Sequence, residues 1–197
     1  MTRFLIVRHG ESEWNALGKW QGRADPPLSE LGRRQAFSAV EKLGVVDAIV
    51  ASPLERASTT AAIIAEGLGV GPLVLEPRLV ERDAGQWSGL TRSDIEREWP
   101  GYLESGQRPP GYESDEDLLD RVTDALDDLT SRLQVQEALV VAHGGVIYAL
   151  EKLLGAEFER IPNLGARWIE WGATRSLGER LLLVDDDELT AQASDIL

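Results

Sequence analysis

The chain has 197 residues, 43% of them apolar, enough for a single domain with a full hydrophobic core. Its formal net charge of −14 argues against a nucleic-acid partner, because phosphate backbones are gripped by basic patches. The absence of cysteine excludes disulfides, thiolate nucleophiles and cysteine metal sites.

Near the N-terminus one basic residue precedes only four consecutive apolar ones, Phe4 to Val7, too few for a signal-peptide core. No later stretch is long enough to span a bilayer, so the expectation is a cytoplasmic protein with no membrane partner. Residues 3–7 (RFLIV), 48–52 (AIVAS), 72–76 (PLVLE) and 138–143 (ALVVAH) read as strands buried on both faces. Between them lie helical patterns. Ser29 is an N-cap for a helix running to about Lys42. Pro53 suits the first turn of a second helix, which Gly67 would end, as part of a helix stop and turn at 67–72. A third helix covers 114–133, and a fourth opens at Gly144. Residues 99–112 hold three prolines and three glycines and read as a loop, part of a short cover over 86–112. After Arg160, residues 166–172 and 180–186 read as two more strands, a hairpin at the sheet edge that leaves a homodimer open. This alternation predicts one domain over 1–197, a three-layer α/β/α sandwich with a mostly parallel central sheet. Ligands of such sheets gather at the C-terminal ends of the strands.

Four clusters sit at or near such ends. Arg8-His9-Gly10 follows the first strand, with Asn15 five residues beyond Gly10. A guanidinium grips a phosphoryl group through two parallel hydrogen bonds, and an imidazole with one nitrogen held and the other free is a nucleophile for phosphorus. Arg56 falls in the first turn of a helix, where a cation opposes the helix dipole and needs another reason to be present. His143 follows a strand, and Gly144-Gly145 opens the next helix, an arrangement suited to anions. Glu81 lies in a glycine-studded loop with an exposed-looking tryptophan, Trp87. Singly, His9 reads as a structural residue, Arg56 as a surface ion-pair residue and Glu81 as a solvated carboxylate. Together they place both histidines of the chain and a first-turn arginine at the ends of inferred parallel strands.

Residues 8–15, RHGESEWN, resemble the signature of the histidine phosphatase superfamily, the phosphoglycerate-mutase-like proteins. Residues 28–36, 52–61, 79–90, 109–114 and 140–147 resemble further motifs of that family, in the family's order. The resemblance implies the phosphoglycerate-mutase-like fold. It implies that His9 becomes a phosphohistidine, while Arg8, Arg56 and His143 hold the phosphoryl oxygens. Asn15 and Gly144 would add contacts to phosphate, and Gln21-Gly22 matches the loop closing over the substrate. Glu81 would protonate the leaving alkoxide and then activate water, so it must carry a proton at the outset. No metal and no cofactor is implied. Arg82 and Ala84 stand where relatives often carry apolar or aromatic residues, and Tyr112 replaces a commoner glycine.

True phosphoglycerate mutases of the family carry a long insertion after the acidic loop that shields the phosphoenzyme. Here only 21 residues, 91–111, fill that place. The expectation is therefore a phosphomonoesterase acting on a small-molecule phosphate monoester. Residues 20–32 and the ending 189–197 look somewhat like glucosyl-3-phosphoglycerate phosphatases. A broad-specificity phosphatase, a phosphoglycerate-type mutase and an inactive scaffold binding phosphorylated ligands are the alternatives. Specificity is expected from 86–112 and from Tyr148. Asp117, Asp120, Asp124, Asp127 and Asp128 read as a solvated helix face rather than a metal site, and 185–188 (DDDE) as an exposed turn.

Overall fold

The computed structural model describes residues 1–189, so the ending 190–197 lies outside the described residues. In chain order the elements are β1 (Thr2–Arg8), α1 (Glu13–Ala16), α2 (Glu30–Lys42), β2 (Ala48–Ala51), α3 (Glu55–Leu68), β3 (Val74–Leu75), α4 (Arg92–Glu98), α5 (Tyr102–Ser105), α6 (Asp115–Leu133), β4 (Glu137–Ala142), α7 (Gly144–Leu153), β5 (Gly165–Trp171) and β6 (Ser176–Leu182).

One six-stranded sheet runs in the order β3-β2-β4-β1-β5-β6. The pairs β1–β4, β2–β4 and β2–β3 are parallel, whereas β1–β5 and β5–β6 are antiparallel. Alternate residues of the central strands face opposite layers. Phe4, Ile6, Val140 and Ala142 pack with Leu118, Val122 and Leu126 of α6 and Val146 and Leu150 of α7. Leu5, Val7, Leu139 and Val141 pack with Ala39 of α2 and Ala57, Ala61 and Ile64 of α3. The runs Phe4–Val7 and Ala138–Ala142 of β1 and β4 are apolar because both faces are covered, and the fold is the expected α/β/α sandwich.

Local chemistry sets the helix ends. Ser29 caps α2 by accepting the Gly32 N–H, and Ser114 caps α6 by accepting that of Asp117. Helix α3 starts later than expected, after Leu54, so Pro53 lies outside it. It also runs past Gly67 and ends on Gly69, whose φ of 66° suits the left-handed cap. Gly67 serves packing instead: a Cβ there would lie 2.7 Å from Val40 Cγ2 of α2.

Other expectations need correcting. The strand expected at 72–76 shrinks to two residues at the sheet edge, with Leu75 51% exposed. The hairpin after Arg160 forms, but β6 begins at Ser176, and of the two strands only β6 is an edge. Residues 86–112 carry α4 and α5 rather than loop alone. Trp87 is fully buried, against Ala84 and Ile95, and anchors the cover. The 185–188 stretch is the expected exposed turn at Asp185 and Asp187, and it also touches α2, where Gln35 Nε2 donates to the Glu188 carbonyl and Ser38 Oγ to its carboxylate. Among the described residues no helix is long and apolar enough to cross a membrane, and no cluster of His, Cys, Asp or Glu is suited to hold a metal.

Candidate active site

The parallel strands deliver their ends to one cavity of about 260 Å³. Arg8, His9, Asn15, Gln21, Gly22, Arg56, Glu81 and Gly144 all line it, so eight of the nine expected site residues meet there. The ninth, His143, is fully buried directly behind them, its ring centroid 5.2 Å from that of His9.

His9 is 3% exposed. Its Nδ1 lies 2.6 Å from the Gly10 carbonyl, an acceptor, so Nδ1 carries the proton and Nε2 keeps its lone pair. Burial, then the charges of Arg56 and Arg8, hold this imidazole well below its ordinary pKa. The ring is neutral. Asn163 Nδ2 fixes the backbone beneath it by donating to the His9 carbonyl at 2.8 Å.

Arg56 is no surface residue: it is fully buried. Its Nη1 donates to the Ala24 carbonyl at 2.7 Å, its Nη2 to that of Gly22 at 2.9 Å, and its Nε to His9 Nε2 at 3.2 Å. Burial lowers its pKa to about 10, which leaves it charged at neutral pH. Arg8 donates from Nη1 to the Ile161 carbonyl at 2.7 Å, and burial lowers its pKa as well. Gly22 has φ 54°, and a Cβ on it would sit 2.6 Å from the Ala84 nitrogen. Only glycine lets this carbonyl reach Arg56.

His143 places Nε2 2.8 Å from Ser52 Oγ, while its buried Nδ1 has no hydrogen-bond partner among the described residues. Burial, then Arg56, keeps this ring neutral too. Glu81 accepts the Arg82 N–H at 2.6 Å on one oxygen and the Gly145 N–H at 3.1 Å on the other. Its loop is pinned from α6: Arg121 donates to the carbonyls of Arg78, Val80 and Glu81 and grips the Glu113 carboxylate. Asn15 closes a capping box with Ser12 through Oδ1, which leaves its Nδ2 for the cavity. Gln21 accepts the Ser12 hydroxyl at 2.8 Å. Tyr112 and Tyr148 form part of the wall.

Sequence reasoning missed Ser52, Arg121 and Asn163 as supports, and Lys19, Arg108 and Arg160 as wall residues. Ser52 was within reach, being part of the motif around Arg56. Asn163 sits 154 residues from the carbonyl it holds, and nothing local marks it.

A covered parallel sheet that ends in a cationic cleft, with two neutral imidazoles touching at its base, is a phosphoglycerate-mutase-like architecture. A mycobacterial glucosyl-3-phosphoglycerate phosphatase solved with VO3 superposes at TM-score 0.82 and 30% identity, covering 91% of this chain and 98% of that one. A profile of the histidine phosphatase superfamily (branch 1) matches residues 4–176, and the chain belongs to that superfamily. A metal-independent phosphoserine phosphatase of Arabidopsis thaliana is 34% identical over 86% of this chain and 79% of its own length. A 2,3-bisphosphoglycerate-dependent phosphoglycerate mutase of a Methylobacterium is 37% identical over 83% and 86% respectively.

Proposed function

We propose that the chain is a metal-independent phosphomonoesterase that hydrolyses small phosphorylated metabolites through a phosphohistidine on His9. The observation that carries this reading is the locked imidazole: Nδ1–H is tied to the Gly10 carbonyl, and Nε2 faces the Arg56 guanidinium. The Arg56 Nε–H donates to the lone pair of Nε2. A phosphoryl group takes over that donor and frees the nucleophile. Nε2 then attacks phosphorus, and the bond to the ester oxygen breaks. Glu81 gives its proton to the leaving alkoxide. In the second half a water attacks the phosphohistidine, Glu81 takes the water's proton, and the phosphorus–nitrogen bond breaks to release phosphate.

Arg8 and Arg56 supply the fixed positive charge that phosphoryl transfer requires, held by backbone carbonyls before the substrate arrives. His143, with Ser52 donating to Nε2, offers Nδ1–H to a phosphoryl oxygen; that buried atom has no other partner among the described residues. Asn15 Nδ2, Gln21 and the N-terminus of α7 at Gly144 complete the oxyanion contacts. The short segment 91–111 leaves the phosphohistidine open to water, which favours hydrolysis over transfer back to an organic acceptor.

The test is hydrolysis of p-nitrophenyl phosphate without added metal, with wild type beside His9→Ala. Turnover should vanish in the variant, and equal rates would end the proposal. Incubation of 3-phosphoglycerate with a bisphosphate primer then separates the two reactions. Release of inorganic phosphate is expected, and isomerisation outrunning it would make the chain a mutase.

A further inference from the structure

We propose that Asn163 is a positioning residue for the nucleophile, and that the segment Ile161–Leu164 is built to hold the Arg8-His9 pair in its reactive geometry. The inference rests on the phosphomonoesterase reading and concerns how that same site is kept in place. Strand β5 runs antiparallel to β1, with Ala166 opposite Val7, so the residues just before β5 meet the end of β1. Parallel strands deliver the catalytic residues, and the approach to an antiparallel one fastens them.

His9 is 3% exposed, so its carbonyl cannot turn to water for a partner. Asn163 Nδ2 donates to that carbonyl at 2.8 Å, and the Leu164 N–H donates to the Arg8 carbonyl at 3.0 Å. The Ile161 carbonyl accepts Arg8 Nη1 at 2.7 Å, so one short segment holds both the backbone and the side chain of Arg8. Asn163 Nδ2 also lies 3.4 Å from Asn15 Oδ1. Both partners are acceptors, since Asn15 Oδ1 takes the Ser12 N–H, and the group facing them is therefore the NH2. An amide suits this place. It offers two hydrogens and no charge, and leaves the electrostatics of Arg8, Arg56 and His9 unaltered.

The hold of Asn163 extends to the imidazole. The His9 carbonyl belongs to the peptide that leads into Gly10, whose own carbonyl lies 2.6 Å from His9 Nδ1. Turning the first peptide turns the second, and with it the aim of Nε2. The segment also adopts a conformation that a mere connection would avoid: Leu164, fully buried, has φ 54°, in the left-handed region that leucine rarely enters. Its neighbours over-determine the turn. The Leu183 N–H donates to the Leu164 carbonyl, the Gly165 N–H to that of Pro162 and the Ile161 N–H to the Tyr148 hydroxyl, each at 3.0 Å. Strain kept in place beside a nucleophile marks a conformation that the site requires.

The readout is kcat/KM for p-nitrophenyl phosphate, whose leaving group departs almost unaided, set beside the inhibition constant of inorganic phosphate. Asn163→Ala removes the donor and shortens the side chain, whereas Asn163→Leu removes the donor and keeps the branched shape. Arg8 and Arg56 stay anchored to backbone carbonyls, so phosphate should bind both variants within about threefold of wild type. The nucleophile loses its aim, and kcat/KM should fall about tenfold to a hundredfold. A general loosening of the site would weaken phosphate binding and kcat/KM together. The proposal is overturned by kcat/KM within about threefold of wild type in either variant, or by an inhibition constant that rises in step with the loss. Circular dichroism showing both variants unfolded would make Asn163 a structural residue and overturn it too. Turnover of the same ester by His9→Ala reports separately on the parent reading, so the two failures are distinguishable.

Discussion

Gly145 is the second residue of α7, and its N–H holds one oxygen of Glu81 at 3.1 Å. A Cβ built on it falls 3.2 Å from the Glu81 carboxyl carbon and closer still to Oε1. The side-chain tip must yield, because α7 is fixed by the core. Gly145→Ala therefore moves the carboxylate by roughly 1 Å, and a displacement of that order costs about a hundredfold in a well-placed catalytic group. The helix itself loses nothing, since alanine is favoured over glycine by about 0.8–1 kcal/mol in a helix interior. The defect should depend on the leaving group. An alkoxide such as that of glycerol 1-phosphate needs the Glu81 proton, whereas p-nitrophenolate leaves almost unaided. Because hydrolysis of the phosphohistidine is common to both esters, the readout is kcat/KM, which reports the first half-reaction: it should fall about a hundredfold on the alkyl ester and less than about tenfold on the aryl ester. Glu81→Gln should show the same disparity, and the thermal midpoint of Gly145→Ala should stay within about 4 °C of wild type. Equal losses on both esters, or no loss on either, would refute the assignment of Glu81 as the acid held by this N–H.

Two further outcomes follow from the geometry. His9 and His143 are both held neutral, well below the ordinary imidazole pKa, by burial and by Arg56. Unfolded, each binds a proton near pH 6.5 while the folded ring resists, so this contribution is complete above about pH 6.5 and is lost as the pH falls below it. Urea midpoints between about pH 7.5 and 5 should fall more steeply for wild type than for His143→Gln, and parallel curves would contradict the buried neutral pair. Gly22→Ala forces φ 54° on alanine and sets a Cβ 2.6 Å from the Ala84 nitrogen. It should lower stability by about 1–3 kcal/mol in urea unfolding and raise KM as Arg56 loses a carbonyl anchor; an unchanged KM would deny that anchor a role.

Much of this was legible in the residues. Strands β1 and β4 announce themselves because both faces are covered, and the cavity forms where their apolar runs stop at Arg8 and Ala142. Burial depth was less legible. Trp87 sits in a glycine-rich loop, and only the later cover, which supplies Ile95, hides it. Arg56 reads as exposed because its carbonyl partners, Gly22 and Ala24, lie 34 and 32 residues away. Gly67 reads as a helix stop because its reason for being small, Val40, belongs to another helix. In each case a local pattern named the residue, and a distant one set its surroundings.

The parallel register of β1 and β4 pairs Arg3 with Glu137 and Arg8 with Ala142. One step further along both strands stand His9 and His143. Their juxtaposition is thus a property of strand alignment, with no dedicated contact between the two side chains needed to bring it about. A slip of one residue would part the imidazoles and turn each β1 side chain to the opposite layer. Turnover regained after refolding therefore counts the molecules whose central strands have zipped in phase.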